Sequence, residues 1–341
     1  MEKIQSNIPN QDAIGVELYN LINRLYPICR SISGRGVRDT LEVISEYIPV
    51  RIHEVPTGVM AYDWNVPKEW NIKDAYVKDS NGRKVIDFKE SNLHVVSYSV
   101  PIKKKMSLEE LKPHLHTLPD YPNSIPYLTS YYKEDWGFCL SHKQFELLED
   151  DTYEVVIGSA LEDGSLSYGE FYIEGKIKDE YLFTCYTCHP SMCNDNLTGV
   201  ALVTLLAQKL FKYDTEYSYR FLFIPETIGA ITWLSRNEDV IPRIKGGLVA
   251  TCLGDNGNST YKKTRDGSAL IDRVVEKVLF DSGDPYKVVD FFPSGSDERQ
   301  FCSPAFNLPV GSLMRSMYGH FPEYHTSADN LSFISREHFA D

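Results

Sequence analysis

The chain has 341 residues, of which 42% are hydrophobic and 24% charged, values that are ordinary for a soluble globular protein. This length favours two domains, because a single hydrophobic core stops growing near this size. The net charge of −13, with no basic cluster in the sequence, argues against nucleic acid or an anionic membrane as a partner.

Three features of the sequence bear on the compartment. No apolar run approaches the roughly 18 residues that a membrane-spanning helix needs. The first residues of the chain lack the apolar core of a signal peptide. The seven cysteines are an odd number scattered through apolar stretches, which favours reduced thiols over a disulfide framework. We therefore expect a cytoplasmic protein without a membrane partner.

Hydrophobic periodicity divides the chain into three parts. Residues 12–48 show the 3.6-residue spacing of two helices. Residues 51–175 are rich in short alternating runs, tryptophan, tyrosine and proline, which indicates a β-rich inserted domain. Within it, the Asp163-Gly164 pair predicts a β-hairpin. From Tyr181 onward, predicted strands alternate with predicted helices.

The alternating part predicts the architecture of the main domain. Its strands are predicted at 181–187, 219–225, 246–253 and 309–314, and its helices at about 197–212, 229–237 and 267–282. Continuous apolar strands between helices are typical of a parallel sheet that is buried on both faces. We therefore predict an α/β fold with a mostly parallel sheet covered by helices on both faces. Residues 1–50 and 176–341 form this domain, and 51–175 form the smaller inserted β-rich domain.

Polar side chains follow the predicted strands at the point where each strand ends. His189 and Asp195 follow the first strand, and Glu226 follows the second. Asp255 follows the third, and His325 lies after the last. Loops at the carboxyl ends of strands are where open α/β folds place their chemistry. Imidazole and carboxylate groups suit zinc, and a carboxylate that is not a ligand accepts a proton from water.

Several motifs carry a resemblance to a known family, and they are TCHPSMCNDNLTGVA, FLFIPETIGA, LGD, SGSDERQF followed by NLPV, and YHTSADN. In this order and on strand ends, they resemble zinc aminopeptidases of the M28 type, which have a zinc exopeptidase-like (phosphorylase/hydrolase-like) α/β fold and two co-catalytic metals. The chain resembles more closely the bacterial aminopeptidase-like proteins that carry an inserted domain of unknown function and often occur with polysaccharide biosynthesis genes. The resemblance covers roughly 1–50 and 176–341.

The resemblance implies a role for each of the polar residues. His189 binds one zinc ion, Asp195 bridges both, and Asp255 completes the first site. His325 binds the second zinc, and Glu226 is the general base. The implied cofactor is one or two Zn²⁺ ions per chain. Each residue also has a structural interpretation, such as a helix N-cap for Asp195 or a turn residue for Asp255.

One position departs from the family pattern. The family has a second glutamate directly after the general base, as a ligand of the second zinc, and this chain has Thr227 there. Because a neutral hydroxyl replaces a carboxylate poorly, the second metal is weak, absent, or held by another group such as Glu323 or Glu298. Asp297 and Glu298 match a family motif that implies a role near the metal or the substrate.

Three functions stay open at this point. The first is a metallo-aminopeptidase-like hydrolase that cleaves a small peptide or amide with metal-activated water. The second is a zinc amidase or deacetylase for an amino-sugar or another small amide, because the tyrosines and Trp64, Trp70 and Trp136 offer rings on which a sugar stacks. The third, motivated by Thr227, is a non-catalytic binding module. A homo-oligomer is left open.

A cysteine-based site competes with this interpretation. Cys185, Cys188 and His189 match the C-x-x-C-H pattern of covalent haem attachment. That chemistry needs export, which the sequence does not predict, and Cys185 falls within an apolar strand. A thiolate zinc site of Cys185, Cys188 and Cys193 would require the cysteines to leave a β-strand.

Overall fold

The computed structural model describes residues 11–131 and 133–338. In these ranges the helices are, in chain order, α1 (Gln11–Leu25), α2 (Arg35–Ser45), α3 (Leu108–Leu111), α4 (His142–Glu146), α5 (Thr198–Leu210), α6 (Ile228–Arg236), α7 (Leu270–Ser282) and α8 (Glu298–Phe301). The strands are β1 (Arg51–Pro56), β2 (Met60–Ala61), β3 (Trp64–Asn65), β4 (Glu69–Lys78), β5 (Lys84–Asp87), β6 (Ile102–Ser107), β7 (Leu115–His116), β8 (Phe138–Cys139), β9 (Thr152–Glu162), β10 (Ser165–Ile173), β11 (Glu180–Tyr186), β12 (Ser218–Ile224), β13 (Ile244–Ala250), β14 (Ser259–Lys262), β15 (Tyr286–Val289) and β16 (Val310–Met314).

A large mixed sheet organises the described chain. Its eight strands lie in the order β1-β10-β12-β11-β13-β16-β14-β15. The four central strands, β12, β11, β13 and β16, run parallel. Antiparallel pairs join β10 to β12 on one side of this centre and β14 to β16 on the other. The carboxyl ends of the four parallel strands therefore meet at one edge, as the sequence predicts.

Alternation along β12 shows why helices cover both faces of the sheet. Phe221 and Phe223 pack in a buried cluster with residues of α1, α2 and α5. Leu222 and Ile224 point to the opposite face and pack in a second cluster that includes Trp233 of α6. Successive side chains of a strand point to opposite faces, so a strand that is apolar throughout needs cover on both sides. The predicted α/β fold, with helices on both faces, is confirmed.

The two ends of the predicted insertion, 51–175, contribute strands to the large sheet. Strands β1 and β10, at the two ends of 51–175, pair with each other inside the large sheet. The separate part lies between them and contains the four-stranded sheet β5-β4-β9-β6. Its own buried cluster includes Val77, Phe138 and Val155. The segment with a sheet of its own therefore lies within 57–164.

The hairpin predicted at Asp163-Gly164 is wrong. Strand β9 before this turn pairs with β4 and β6 in the small sheet. Strand β10 after it pairs with β1 and β12 in the large sheet. The two residues are therefore the connection that leads the chain from one sheet to the other.

Among the described residues, none of the helices combines the length and the apolar content that a membrane span requires.

Candidate metal centre

The loops after β11 and β12 place three of the predicted residues at the same edge of the sheet. Strand β11 ends at Tyr186, and the chain then passes through His189 to an irregular turn at Cys193–Leu197. Within this turn Asp195 leaves the helical conformation, and its peptide bond to Asn196 is cis. Strand β12 ends shortly before Glu226. Parallel strands thus deliver an imidazole and two carboxylates to one region.

His189, Asp195 and His325 form a group that is able to hold a metal ion. One ligand atom from each of them lies within 4.8 Å of the other two. The Oδ2 atom of Asp195 lies 3.0 Å from the Nε2 atom of His325. Both atoms are buried, and beyond this mutual contact neither makes a hydrogen bond within the described chain. Because buried polar atoms are almost always satisfied, two orphan atoms that face each other fit a shared cation.

The electrostatics of this group favour the protonation states that a metal needs. Burial lowers the pKa of His189 to about 4, so the imidazole is neutral near pH 7. Burial opposes ionisation of Asp195, but the nearby imidazoles of His189 and His325 and the Tyr186 hydroxyl outweigh it and lower the pKa of Asp195 to about 2. Neutral imidazole and ionised carboxylate are the ligand forms that bind zinc.

Glu226 lies beside this group without belonging to it. Its Oε2 atom is 3.8 Å from the Nε2 atom of His189, and its side chain is 27% exposed. Both residues line a cavity of about 490 Å³ that also reaches His325. Burial, followed by the carboxylates of Asp297 and Asp195, raises the pKa of Glu226 well above its usual value. A carboxylate with a raised pKa at the wall of a cavity is suited to accept a proton from water.

A tight turn at Thr227 fixes Glu226 at the cavity wall. Thr227 has φ 64° and ψ −64°, and the N–H of Ile228 donates to the Glu226 carbonyl oxygen at 2.7 Å. These are the features of a classic γ-turn, which is rare and strained. The N–H of Thr227 donates to Asp297 Oδ1 at 2.6 Å. Asp297 is fully buried, and burial raises its pKa to about 7 although this hydrogen bond opposes the shift.

The predicted substitutes for a second metal site do not join the group. Glu298 is fully buried and accepts hydrogen bonds from Lys262 Nζ at 2.7 Å and from Ser312 Oγ at 2.8 Å. Glu323 lies outside the group as well. In the part of the chain that the structure describes, His189, Asp195 and His325 are the one group of three or more such side chains that is able to hold a metal.

Asp255, predicted as a further ligand, does not join this group. Its carboxylate is buried, but Oδ1 accepts hydrogen bonds from the N–H of Gly257 at 2.6 Å and from the Ser316 hydroxyl at 2.7 Å. Oδ2 accepts from Asn194 Nδ2 at 2.8 Å and from the N–H of Ser316 at 3.2 Å. These donors occupy both oxygens, and Asp255 is not a member of the metal group.

Asp329 is a site residue whose role the sequence did not predict. Its Oδ1 accepts the N–H of Asn194 at 2.6 Å, and its Oδ2 accepts the N–H of Asp195 at 2.9 Å. It therefore fixes the backbone of the turn that presents the Asp195 carboxylate. The signal was available, because Asp329 is part of the YHTSADN motif that also contains His325.

The inserted segment contributes a second unpredicted residue, Tyr127. The N–H of Tyr127 donates to the His325 carbonyl oxygen at 2.8 Å. Its ring lies edge-on to the rings of His189 and His325, with a centroid distance of 5.2 Å to each. Its hydroxyl is 3.0 Å from that of Tyr131. No local pattern marks this tyrosine among the 22 tyrosines of the chain.

The cysteine alternatives find no support in the geometry. All seven cysteines lie among the described residues, and none of them forms a disulfide. The described metal group contains no thiol. Burial raises the pKa of Cys185, Cys188 and Cys193 well above the ordinary thiol value in the metal-free chain. Cys188 instead supports the site, because its Sγ atom lies 3.6 Å from His189 Nδ1.

Comparison with known proteins identifies the family. Residues 19–341 match the family described as a domain of unknown function, DUF4910. The chain belongs to the DUF4910 family. A curated relative from Clostridium acetobutylicum is 64% identical over 341 residues, which are all of this chain and 78% of the relative. The name of that relative joins polysaccharide biosynthesis to an aminopeptidase-like domain.

Solved structures extend this DUF4910 match to the fold. A crystal structure of a Clostridium acetobutylicum protein, also 64% identical, has a TM-score of 0.96. The match covers 97% of this chain and 78% of that one. BSAP, a zinc aminopeptidase from Bacillus subtilis, has a TM-score of 0.66 at 11% identity and is covered over 95% of this chain and 91% of that one. The predicted resemblance to M28-type aminopeptidase-like proteins is confirmed, and this DUF4910 chain has the fold of a peptidase.

Proposed function

We propose that this DUF4910 protein is a zinc-dependent hydrolase of amide bonds with a single metal ion. The orphan pair of Asp195 Oδ2 and His325 Nε2, 3.0 Å apart and completed by His189, is the observation that carries the proposal. Three protein ligands of nitrogen and oxygen type, at the wall of an accessible cavity, are the pattern of a catalytic zinc site. The zinc aminopeptidase among the fold relatives supports the same metal.

The residues of this site divide into those that hold the metal and one that moves the proton. His189, Asp195 and His325 would hold zinc, and Asp329 would keep the turn of Asp195 in place. Zinc bound there supplies a Lewis acid that polarises an amide carbonyl and makes water more acidic. Glu226 accepts the proton of the attacking water and delivers it to the leaving nitrogen. Its neighbour Thr227 keeps the carboxylate at the wall through the strained turn.

Two observations support one metal rather than two. The position of the family's second glutamate holds Thr227, whose N–H donates to Asp297. The candidate substitutes do not join the group, since Glu298 pairs with Lys262 and Glu323 is not a member of it. A single-metal site still activates water and polarises a carbonyl, as mononuclear zinc hydrolases do.

The substrate is a small peptide or another small amide. The aminopeptidase-like fold favours a peptide. A specific observation keeps an amidase or deacetylase of an amino-sugar as the second candidate, because Trp64, Tyr127 and Tyr131 all line the cavity. Aromatic rings at a cavity wall offer the flat apolar surface on which a sugar ring packs. Measuring release of aniline from aminoacyl-anilides and of acetate from N-acetyl sugars separates the two candidates.

The unpaired cysteines support a cytoplasmic location for this hydrolase, where thiols stay reduced. The charge of −13 supports a small-molecule substrate rather than nucleic acid. Immunoblotting of cytoplasmic and exported fractions from the native host measures the location directly.

The substitution Glu226→Gln tests the proposed function. Because it removes the proton acceptor and leaves the three ligands intact, we expect turnover to fall by about 10²- to 10⁴-fold with the zinc content kept. Glu323→Gln is the matched control and is expected to change neither value. Elemental analysis is expected to give one zinc per chain. Unchanged turnover in Glu226→Gln contradicts the assignment of the base, and a chain without zinc or amide turnover supports the non-catalytic binding module instead.

A further inference from the structure

The cavity beside the metal group contains one permanent positive charge. Of the described residues that line it, Arg299 alone carries a cation that does not titrate near neutral pH. Arg299 lies in α8, two residues after Asp297, and its side chain is exposed. The inserted segment supplies Trp64 and Tyr131 to the same cavity.

The guanidinium of Arg299 makes no hydrogen bond and no ion pair with the described residues. Only its backbone N–H donates a hydrogen bond within the described chain, to the Ser296 carbonyl oxygen at 3.3 Å. Two buried or half-buried arginines of the chain behave differently. Arg38 pairs with two glutamates, and Arg220 pairs with two more. A guanidinium offers a planar fork of donors that matches a carboxylate, and that of Arg299 is available for a ligand.

The surroundings of Arg299 are negatively charged. The chain carries a net charge of −13, and Glu226, Asp195 and Asp297 lie in or behind the cavity wall. This field repels an anion that has no specific partner. In such a field an arginine without an ion pair is the group that offsets the repulsion of a substrate anion. Offsetting the charge of Asp297 is the competing role, and it needs no ligand.

We infer that the cavity binds amide substrates that carry a carboxylate, with Arg299 as the residue that selects the carboxylate. This inference rests on the proposed function, because the same pose places the amide next to His189 and Glu226. Trp64 then packs on the flat part of the substrate. An acidic N-acetyl sugar and a glutamyl or aspartyl derivative share this chemistry, and the experiment distinguishes these two sources.

Binding of matched probes tests the inference independently of turnover. One pair is N-acetylglucosaminuronate and N-acetylglucosamine, which differ by a carboxylate at C6. The other is the p-nitroanilide of glutamate and that of glutamine, which differ by a carboxylate in the side chain. Isothermal titration calorimetry is performed on the zinc-loaded chain with Glu226→Gln, so that the probes are not consumed. Arg299→Gln, Arg299→Lys and the exposed control Arg51→Gln are added to this background.

We expect the acidic member of at least one pair to bind about ten- to hundredfold more tightly than its neutral partner, as a charge-assisted bidentate contact provides. Arg299→Gln is expected to abolish the preference, Arg299→Lys to keep part of it, and Arg51→Gln to keep all of it. Preference in the sugar pair identifies an acidic sugar, and preference in the anilide pair identifies an acidic amino acid. Equal binding within both pairs, or a preference that survives Arg299→Gln, overturns the inference. Absence of wild-type turnover refutes the proposed function alone, because the binding comparison does not depend on it.

Discussion

Asp195 and Asp255 are two buried carboxylates that follow neighbouring parallel strands, and the difference between them separates a candidate metal ligand from a structural residue. Asp255 accepts hydrogen bonds at both oxygens, from Gly257, Asn194 and Ser316. Asp195 accepts one hydrogen bond from the Tyr186 hydroxyl, and apart from the 3.0 Å contact with His325 Nε2 its second oxygen makes no hydrogen bond in the described chain. Protein donors thus complete the surroundings of one carboxylate and leave the other incomplete.

This difference has an energetic meaning. A buried oxygen without a hydrogen bond costs about 1–3 kcal/mol, so a fold keeps one only where something else repays the cost. At Asp195 the unpaired oxygen faces the unpaired nitrogen of His325, and a cation between them satisfies both. At Asp255 no such cost exists, and a metal would have to displace protein donors. The two atoms at Asp195 and His325 therefore mark the candidate metal position, and the fully hydrogen-bonded carboxylate of Asp255 supports the loops around it.

The largest expected effect separates these two roles directly. Asp195→Asn replaces an anionic candidate ligand by a neutral amide. Substitutions of residues that only support metal ligands lower metal affinity by up to about 100-fold, so we expect a larger loss of zinc affinity here. Asp255→Asn is the matched control and is expected to keep its zinc. Competition with a fluorescent chelator measures both affinities. Loss of zinc in Asp255→Asn, with zinc kept in Asp195→Asn, would reverse the comparison.

The sequence predicted the elements of the site better than their assembly. Strand ends at Tyr186 and Ile224 follow from apolar runs, and these place His189 and Glu226 in loops at one edge of the sheet. The same reasoning puts Asp255 at that edge but does not say which way its side chain points. That direction depends on Asn194 and Ser316, which are each 61 residues away from it in the chain.

Contacts from the inserted segment were beyond sequence reasoning for a related reason. Tyr127 reaches the two histidines because the chain around it pairs with the loop of His325, as in the isolated bridge between Pro126 and Thr326. Nothing in the local pattern of hydrophobic residues encodes a contact across about 200 positions of the chain. The family resemblance did not supply it either, because the motifs lie outside the insertion.

The second-largest effect concerns how the stability of the fold depends on pH through His189. Burial lowers the pKa of His189 to about 4, from 6.5 in an exposed histidine. Between these pH values the unfolded chain binds a proton at His189 that the folded chain does not. The contribution of His189 to the free energy of unfolding is therefore complete above pH 6.5. It falls by about 3 kcal/mol as the pH drops towards 4.

Urea denaturation of metal-free protein at pH 7 and pH 4.5 measures this contribution. His189→Gln is expected to lose less stability between the two values than the wild type does. His320→Gln, which removes an exposed histidine, is the control and is expected to follow the wild type. If His189→Gln loses as much stability between pH 7 and pH 4.5 as the wild type does, the assignment of a buried neutral imidazole is wrong.

The third effect concerns the saturated carboxylate. Asp255→Asn turns one acceptor oxygen into a donor that faces the donors of Asn194 and Ser316. We expect a loss of about 2 kcal/mol in the free energy of unfolding, since hydrogen bonds to charged groups are worth roughly 1.5–3 kcal/mol. Urea denaturation of the metal-free protein measures it, with Asp255→Ala as a second variant that removes the donor clash. Unchanged stability in both variants would show that the network around Asp255 is not structural.

The smallest effect concerns the contacts that orient the side chains of the site. Hydrogen bonds orient Asp255, whereas ring contacts with Tyr127 orient His189 and His325. Aromatic pairs are worth about 0.5–1.5 kcal/mol each, so Tyr127→Leu is expected to weaken zinc binding by about tenfold. Tyr127→Phe keeps the ring and loses only the hydrogen bond to Tyr131, and we expect its zinc affinity to match the wild type in chelator competition. If Tyr127→Phe weakens zinc binding as much as Tyr127→Leu does, then the hydroxyl, rather than the ring, carries the contribution of the insertion to the metal centre.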